Sequence, residues 1–245
     1  MKKEMFNHLS PGTSDTRLIC FPYLGGYSHA FNELANKLDS SIDLWAVNPP
    51  GHGGCPYPLV EDVEEVVDTY MKELPELLTN STVLLGYSMG GIVVYHLMKR
   101  ILSMPELKNK IPKKLIIFAC GSPDTFTESN VSKIPDAQVV ERIDGYGALP
   151  EKIKQNKAIM RYLMPIFRAD CQVLDSAQNK MIEPFRSDVT FILGTNDQKI
   201  RIHMVTSWRN YFENPIQVKL LNGYSHMFIH DDPDQVAQII EKQLF

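Results

Sequence analysis

The segment that most constrains the fold of this chain is Gly86-Tyr-Ser-Met-Gly90, which lies between an apolar run and a helix-compatible stretch. The run from Thr82 predicts a buried strand, and Ile92-Val-Val-Tyr-His-Leu-Met98 predicts a helix. Gly-x-Ser-x-Gly in this context is the nucleophile-elbow pattern, in which two glycines let a very tight turn close. We therefore predict that Ser88 is a nucleophile and that the backbone N–H of Met89 stabilises an oxyanion. The alternative is a turn with only a structural role.

Further apolar runs alternate with helix-spaced segments along the chain, after a polar leader at the N-terminus. This alternation predicts a mostly parallel central sheet with helices on both faces. Besides the strand of the elbow, the predicted strands span 17–22, 42–47, 114–120, 188–194 and 216–221, and a final helix spans 233–245. A chain of 245 residues in this class commonly forms one unit, so we predict an α/β fold with a single domain at 1–245.

The alternation of strands and helices breaks once, between Gly121 and Ser187, where helical patterns occur without a convincing strand. One apolar stripe is formed by Ile153, Ile159, Tyr162 and Leu163, and a second by Phe167, Cys171, Val173 and Leu174. An insertion of this length commonly carries function, often as a lid over the site. We therefore predict a helical lid insertion at 122–187. A helical elaboration that only packs against the sheet is the alternative.

The composition argues against several classes of function. The net charge of −4, without a Lys/Arg run, disfavours nucleic-acid binding. The four cysteines are widely spaced and form no C-x-x-C pair, which disfavours a disulfide framework or a zinc site. The N-terminus lacks a signal-peptide core, and no stretch approaches the length of a membrane span. We expect a cytoplasmic protein with no cofactor or metal, no nucleic-acid partner and no membrane contact, and nothing requires more than a monomer.

A serine hydroxyl is a poor nucleophile until a base accepts its proton, so a histidine is required. The histidines after Ser88 are His96, His203, His226 and His230. His226 lies between the last predicted strand and the last helix, at the sheet edge where Ser88 also emerges. His96 and His203 fall within helical patterns, and His230, the runner-up, is more typical of the cap of the final helix. We therefore predict His226 as the base.

The acid that orients the histidine is expected at the carboxyl end of a later strand. Asp197 directly follows the strand at 188–194, and Asp124 follows the strand at 114–120. We favour Asp197 and keep Asp124 as the rival. Asp170 and Asp175 lie in the predicted insertion and are poorer candidates.

The second oxyanion donor is expected in the loop after the first predicted strand, Phe21-Pro-Tyr-Leu-Gly-Gly26. Its two glycines let the backbone approach a ligand closely. We predict the backbone N–H of Leu24 as this donor, with a plain turn as the alternative.

Five segments together resemble a known family, and the match extends over residues 17–240. They are Ile19-Cys-Phe-Pro-Tyr-Leu-Gly-Gly-Tyr27, Asn48-Pro-Pro-Gly-His-Gly53, Gly86-Tyr-Ser-Met-Gly-Gly91, Phe167-Arg-Ala-Asp170 and Gly223-Tyr-Ser-His-Met-Phe228. In this order they resemble a type II thioesterase, the stand-alone editing enzyme of nonribosomal peptide and polyketide synthesis. The first-strand segment and the Arg-Ala-Asp segment are more specific than the elbow, which many hydrolases share.

The resemblance implies an α/β-hydrolase fold with Ser88, Asp197 and His226 as a catalytic triad acting through an acyl-enzyme. It also implies acyl or peptidyl carrier protein domains as partners, whose phosphopantetheine arm carries the thioester substrate. Three residues depart from the family pattern. Tyr87 stands where many members have histidine, Ser225 where glycine is usual, and Leu24 where alanine is common. The larger Leu24 is expected to narrow the acyl pocket.

Other functions also fit the sequence. One is a medium- or long-chain fatty acyl thioesterase or a small carboxylesterase of the same fold. Another is a non-catalytic module that binds carrier proteins, which the Ser, Asp and His set disfavours because a binder needs no base beside a serine. Carrier proteins are typically acidic, so basic residues of the insertion are a candidate docking patch, with a solvated helix face as the alternative. These residues are Lys152, Lys154, Lys157, Arg161 and Arg168.

Overall fold

A seven-stranded sheet forms the centre of the computed structural model, which describes residues 4–125, 133–178 and 180–244. The strand order is β1-β3-β2-β4-β5-β6-β7, and each neighbouring pair is parallel except β1 with β3. The strands are β1 (Phe6–Ser10), β2 (Arg17–Phe21), β3 (Asp43–Val47), β4 (Thr82–Tyr87), β5 (Lys114–Phe118), β6 (Val189–Gly194) and β7 (Gln217–Leu221). The predicted α/β class and mostly parallel sheet are confirmed, and all six predicted strands are present.

The polar leader contains a strand that the sequence analysis missed. β1 runs antiparallel to β3 and pairs Phe6 with Val47 and His8 with Trp45. Within β1 only Phe6 is buried, and the other side chains are half-buried or exposed. An edge strand with one face in solvent carries few apolar residues, so its pattern is hard to distinguish from that of a polar leader.

The helices cover both faces of the sheet. In the described residues the α-helices are α1 (Asn32–Ala35), α2 (Val63–Tyr70), α3 (Leu74–Leu77), α4 (Met89–Leu102), α5 (Asp136–Asp144), α6 (Glu151–Lys154), α7 (Lys157–Gln178), α8 (Ile202–Thr206), α9 (Phe228–Asp231) and α10 (Pro233–Leu244). α2 begins at the N-cap Asp62, whose carboxylate accepts a hydrogen bond from the backbone N–H of Glu64. The final helix agrees with its predicted range up to Leu244; Phe245 lies outside the described residues.

Alternate residues of the central strands pack into two separate cores, as a strand period of two requires. Ile19 and Phe21 of β2 join α2 and α4 on one face, whereas Leu18 and Cys20 join α1 and α10 on the other. All six residues of β4 are buried, which identifies it as a central strand covered on both sides. The elbow after β4 is therefore held by a rigid frame.

Three helices, α5, α6 and α7, lie in the predicted insertion at 122–187, of which 126–132 and 179 are outside the described residues. They share a small core of their own, against which Leu24 of the first-strand loop packs; its buried members are Val139, Ile143, Leu149, Phe167 and Cys171. The two stripes from Ile159 onward belong to one long helix, α7, which continues through Pro165. A lid function for this segment stays a prediction.

Candidate active site

The elbow places Ser88 in a strained backbone conformation at the junction of β4 and α4. Its φ of 52° and ψ of −115° lie outside the regions that non-glycine residues commonly adopt. A Cβ added at Gly86 would lie 2.3 Å from the Gly90 carbonyl oxygen, and one at Gly90 would lie 2.2 Å from that of Phe21. Both positions therefore require glycine, because a side chain at Gly86 would force the turn open and one at Gly90 would clash with the backbone at the end of β2. The Ser88 N–H donates to the Phe118 carbonyl of β5 at 2.8 Å, which fixes the turn to the sheet.

His226 lies between Asp197 and Ser88 in one chain of hydrogen bonds. Its Nδ1 is 2.7 Å from Asp197 Oδ2, and its Nε2 is 3.2 Å from Ser88 Oγ. Because a carboxylate only accepts, Nδ1 carries the proton, and Nε2 is left with the lone pair that faces the serine hydroxyl. His226 and Asp197 are both buried, at 4% and 1% exposure. The three residues predicted for the site are thus in direct contact.

The second oxygen of Asp197 is held by the backbone that follows β6. Asp197 Oδ1 accepts hydrogen bonds from the N–H groups of Lys199 and Ile200, both at 2.9 Å. These two bonds fix the carboxylate so that Oδ2 points at the imidazole. The rival acid Asp124 has other partners, since its Oδ1 accepts from Ser122 Oγ at 2.5 Å and from the Tyr211 hydroxyl at 3.0 Å.

The other histidines after the elbow occupy different surroundings. His96 is buried in α4 with its Nδ1 3.1 Å from Glu64 Oε1 of α2, and His203 lies in α8. The placement of His230 in the cap of the final helix is wrong: it lies in α9, with its Nε2 2.8 Å from the Tyr23 hydroxyl. Burial lowers the pKa of His230 and raises that of Tyr23 to about 12, so the hydroxyl donates and the neutral ring accepts.

The first-strand loop brings Leu24 beside the serine. A tight turn is closed by a 2.8 Å hydrogen bond from the Gly26 N–H to the Tyr23 carbonyl. Leu24 and Met89, the residues predicted to supply oxyanion donors, line the same small cavity as Ser88 and His226. This cavity has a volume of about 50 Å³, and its remaining walls are mostly apolar. The arrangement suits an acyl group attached at the serine.

The described residues contain no group of three or more His, Cys, Asp or Glu side chains that could hold a metal ion. The four cysteines are free, and burial raises the pKa of Cys120, which lines the cavity beside Ser88. A thiol kept protonated in this way is a poor rival nucleophile to the serine. In the part of the chain that the structure describes, no helix combines the length and apolarity needed to cross a bilayer.

Comparison with known protein families identifies the chain. The model of the thioesterase domain matches residues 16–244, nearly the whole sequence. The chain belongs to the thioesterase domain family. The predicted family resemblance is thereby confirmed, and with it the prediction of an enzyme that hydrolyses thioesters.

Individual relatives agree with the family assignment. This thioesterase is 27% identical over 231 residues to the gramicidin S biosynthesis protein GrsT of Aneurinibacillus migulanus, covering 93% of this chain and 88% of GrsT. Its fold is similar to that of the type II thioesterase BorB from the borrelidin biosynthetic cluster, with a TM-score of 0.84, 20% identity and 98% of each chain covered. The fold is also similar to that of RedJ, a thioesterase from the prodiginine biosynthetic pathway in Streptomyces coelicolor. The TM-score is 0.83 at 22% identity, and the match covers 94% of this chain and 92% of RedJ. These likenesses confirm the predicted α/β-hydrolase fold.

Tyr87, a departure from the family pattern, contacts the histidine of this thioesterase in a way that the sequence analysis missed. Its hydroxyl donates a 2.5 Å hydrogen bond to the backbone carbonyl of His226. The side chain is fully buried, and burial raises the pKa of the phenol well above its usual value, so the hydroxyl remains a donor. The Tyr146 ring of the insertion also contacts the His226 ring, with 4.7 Å between the two ring centroids. Tyr87 and Tyr146 together restrict the position of the imidazole.

We expect a Tyr87→Phe substitution to lower kcat by about 10-fold, because the loop that carries His226 loses its anchor. The His226 carbonyl would lose its partner in a buried place, which costs about 1–3 kcal/mol of the free energy of unfolding. Steady-state kinetics and urea unfolding measure the two effects. Tyr95→Phe is the matched control, since Tyr95 is also buried and donates at 3.4 Å to the Glu183 carbonyl, away from His226. Equal losses of kcat in both variants would contradict the anchoring role.

Proposed function

We propose that this thioesterase hydrolyses acyl groups from the phosphopantetheine arm of carrier-protein domains, with Ser88, His226 and Asp197 as its catalytic triad. The observation that carries the proposal is the imidazole of His226 held between a fixed carboxylate and a serine hydroxyl. The names of GrsT, a gramicidin S biosynthesis protein, and of BorB, a type II thioesterase from the borrelidin biosynthetic cluster, support a carrier-bound substrate. In such pathways the activity removes misprimed or stalled acyl groups and so regenerates the carrier.

In the first half-reaction, His226 Nε2 accepts the Ser88 proton while Oγ forms a bond to the thioester carbonyl carbon. The carbonyl oxygen becomes an oxyanion, which the N–H groups of Leu24 and Met89 stabilise. Collapse of this intermediate breaks the carbon–sulfur bond, and the sulfur takes the proton from His226. A thiol has a reference pKa of about 8.5, so its departure needs little help from an acid.

In the second half-reaction, water replaces the thiol. His226 accepts a proton from the water as its oxygen bonds to the acyl carbon of the acyl-enzyme. The same N–H groups stabilise the second oxyanion. Ser88 Oγ then leaves with the proton from His226, which releases the carboxylic acid and restores the starting enzyme. Asp197 stabilises the imidazolium that forms in both halves.

Leu24 is one of four residues that line both of the spaces that the substrate would occupy, together with Tyr23, Ile143 and Ala148. One is the cavity of about 50 Å³ beside Ser88, and the other is a groove of about 480 Å³ between the first-strand loop and the insertion. The walls of the groove are mostly apolar and include Tyr27, Ile159 and Tyr162, whose side chains are exposed. We assign the small cavity to the acyl group and the groove to the pantetheine arm, which favours short acyl groups such as acetyl.

A Leu24→Ala substitution is expected to raise the preference for octanoyl over acetyl substrates by about 10-fold in kcat/KM, because it opens the acyl cavity toward the groove. The change leaves the backbone N–H of residue 24 in place. Leu163→Ala is the control, since Leu163 lines the groove but not the small cavity. A shift in acyl preference with Leu163→Ala, and none with Leu24→Ala, would place the acyl chain in the groove instead.

The candidate docking patch is smaller than the sequence indicates. Lys154 is paired with Asp144 and Glu151 at 2.9 and 2.8 Å, and Arg168 with Asp136. The remaining members are exposed; Lys152 lies in α6, and Lys157 and Arg161 lie in the N-terminal part of α7. They lie near the groove residues Ile159 and Tyr162 in sequence, which supports an acidic carrier approaching from this side.

The proposal is tested by comparing hydrolysis of acetyl-carrier protein, octanoyl-carrier protein, acetyl-CoA and a nitrophenyl ester. We expect the highest kcat/KM with acetyl-carrier protein. Equal rates with the carrier and with the nitrophenyl ester would instead indicate a general carboxylesterase. A preference for octanoyl over acetyl would indicate a fatty acyl thioesterase. Tight binding of the carrier without turnover of any substrate would indicate a non-catalytic module.

A further inference from the structure

Two sequence motifs that the proposed mechanism does not use meet beneath the first-strand loop. His52 belongs to the segment after β3, and Asp170 belongs to α7 of the insertion; they are 2% and 4% exposed. His52 Nε2 lies 3.1 Å from Asp170 Oδ2, and the same oxygen accepts a hydrogen bond from the Gly25 N–H at 2.7 Å. Three segments distant in sequence are thus joined at one carboxylate oxygen.

The hydrogen-bond partners of His52 determine its charge. Its Nδ1 is 2.9 Å from the Pro50 carbonyl oxygen, which can only accept. Its Nε2 faces Asp170 Oδ2, which already accepts from Gly25. Both ring nitrogens therefore donate, and the ring is an imidazolium. Burial by itself lowers the pKa of His52, but the Asp170 carboxylate outweighs this and raises the pKa above its ordinary value.

A buried ion pair adds little net stability compared with well-packed apolar residues, but it fixes the position of its charged groups. Here the fixed group is a carboxylate oxygen that holds the Gly25 N–H. Gly25 has a φ of +72°, and a Cβ on it would lie 2.5 Å from Cε1 of Phe167, one turn before Asp170 on α7. The helix therefore contacts Gly25 through both a hydrogen bond and close packing.

The peptide that Asp170 holds is adjacent to the one that carries the oxyanion donor. The Gly25 N–H belongs to the peptide that follows Leu24, so its direction restricts the backbone angles of Leu24. The turn from Tyr23 to Gly26 holds the loop from within, and Asp170 holds it from the insertion. A shift of this loop would move the Leu24 N–H away from the oxyanion.

We propose that Asp170, paired with His52, is a positioning residue that aligns the Leu24 N–H with the oxyanion. This inference rests on the proposed function. Because the oxyanion exists only in the tetrahedral intermediate and its transition states, the contribution of Asp170 falls on kcat and not on KM. The α7 helix thereby takes part in the chemistry without contacting the reacting atoms.

The test uses the full-length variants Asp170→Asn and Asp170→Ala with acetyl-carrier protein. Active sites are counted by end-point titration with a fluorophosphonate, so that kcat refers only to folded, competent enzyme. We expect kcat to fall about 10-fold for Asp170→Asn, which retains a weaker acceptor, and about 100-fold for Asp170→Ala. KM is expected to stay within about twofold of the wild-type value. Affinity for an alkyl boronic acid, which forms a tetrahedral adduct with Ser88, should fall in parallel with kcat.

Glu64→Gln is the matched control, because Glu64 also pairs with a buried histidine, His96, on helices away from the first-strand loop. We expect its kcat to remain within about twofold of wild type. The inference is overturned if kcat per titrated site is unchanged in Asp170→Asn and Asp170→Ala, or if only KM rises. If Asp170→Ala does not fold, Asp170→Asn decides, since it keeps the side-chain volume.

The activity of a Ser88→Ala variant distinguishes failure of this inference from failure of the proposed function. An inactive Ser88→Ala variant combined with wild-type kcat in the Asp170 variants would overturn the inference alone. An active Ser88→Ala variant would overturn the proposed function and the positioning role that depends on it.

Discussion

Replacement of Ser88 by alanine is expected to lower kcat by at least about 10⁴-fold on acetyl-carrier protein, with KM nearly unchanged. The variant lacks the oxygen that forms the acyl-enzyme, and His226 Nε2 loses its only proton donor in the proposed first step. The N–H groups of Leu24 and Met89 remain and account for the residual rate. Turnover under saturating substrate measures the loss, and intact-mass analysis should show no fluorophosphonate adduct.

Ser103→Ala is the matched control for Ser88→Ala. Ser103 caps the far end of the same helix, α4, and its hydroxyl donates to the Arg100 carbonyl at 2.7 Å. The kcat of the Ser103→Ala variant should stay within about twofold of the wild-type value. If the Ser88→Ala enzyme retains about a tenth or more of wild-type kcat, Ser88 is excluded as the nucleophile, because the residual rate expected without it is far lower.

Replacement of Asp197 by asparagine is expected to lower kcat by about 10³- to 10⁴-fold. The N–H groups of Lys199 and Ile200 select the amide oxygen, so the amide nitrogen faces His226 Nδ1. The imidazole then accepts at Nδ1 and carries its proton on Nε2, where it cannot accept the Ser88 proton. The histidine is present but in the wrong tautomer.

Asp124→Asn serves as the control for Asp197→Asn, because the Asp124 carboxylate accepts hydrogen bonds from Ser122 and Tyr211 and not from His226. We expect kcat within about twofold of wild type for this variant. The kcat of both variants, measured as a function of pH, identifies which carboxylate is the acid of the triad. Loss of activity in Asp124→Asn with wild-type behaviour in Asp197→Asn would reverse the assignment.

The sequence predicted those parts of the fold that depend on local pattern. The strands of the sheet are continuous apolar runs because both faces are covered, and the elbow requires glycine at fixed positions around Ser88. His226 and Asp197 could be selected because parallel strands present their carboxyl ends at one edge. Each of these predictions used only the order of elements and the chemistry of one residue. The structure brings all three side chains into contact.

The sequence could not predict contacts that depend on tertiary packing between distant segments. The Tyr87 hydroxyl reaches the His226 carbonyl across the sheet edge, and nothing in the residues around Tyr87 indicates that partner. His52 and Asp170 are separated by 118 residues, and neither lies in a periodic pattern that pairs them. The strand β1 was missed for a different reason, since only one of its side chains is buried.

The assembly of the site from separate segments has a consequence for folding. Ser88 and His226 are 138 residues apart, and Gly25 and Asp170 are 145 residues apart. Contacts of such separation are slow to form, because closing a long loop costs entropy before any contact compensates for it. Catalytic competence therefore arises late in folding, when β7 has paired with β6 and Phe228 of α9 has packed against Tyr87 of β4. During refolding, the return of activity should be the last signal to recover, after helix content and tyrosine burial.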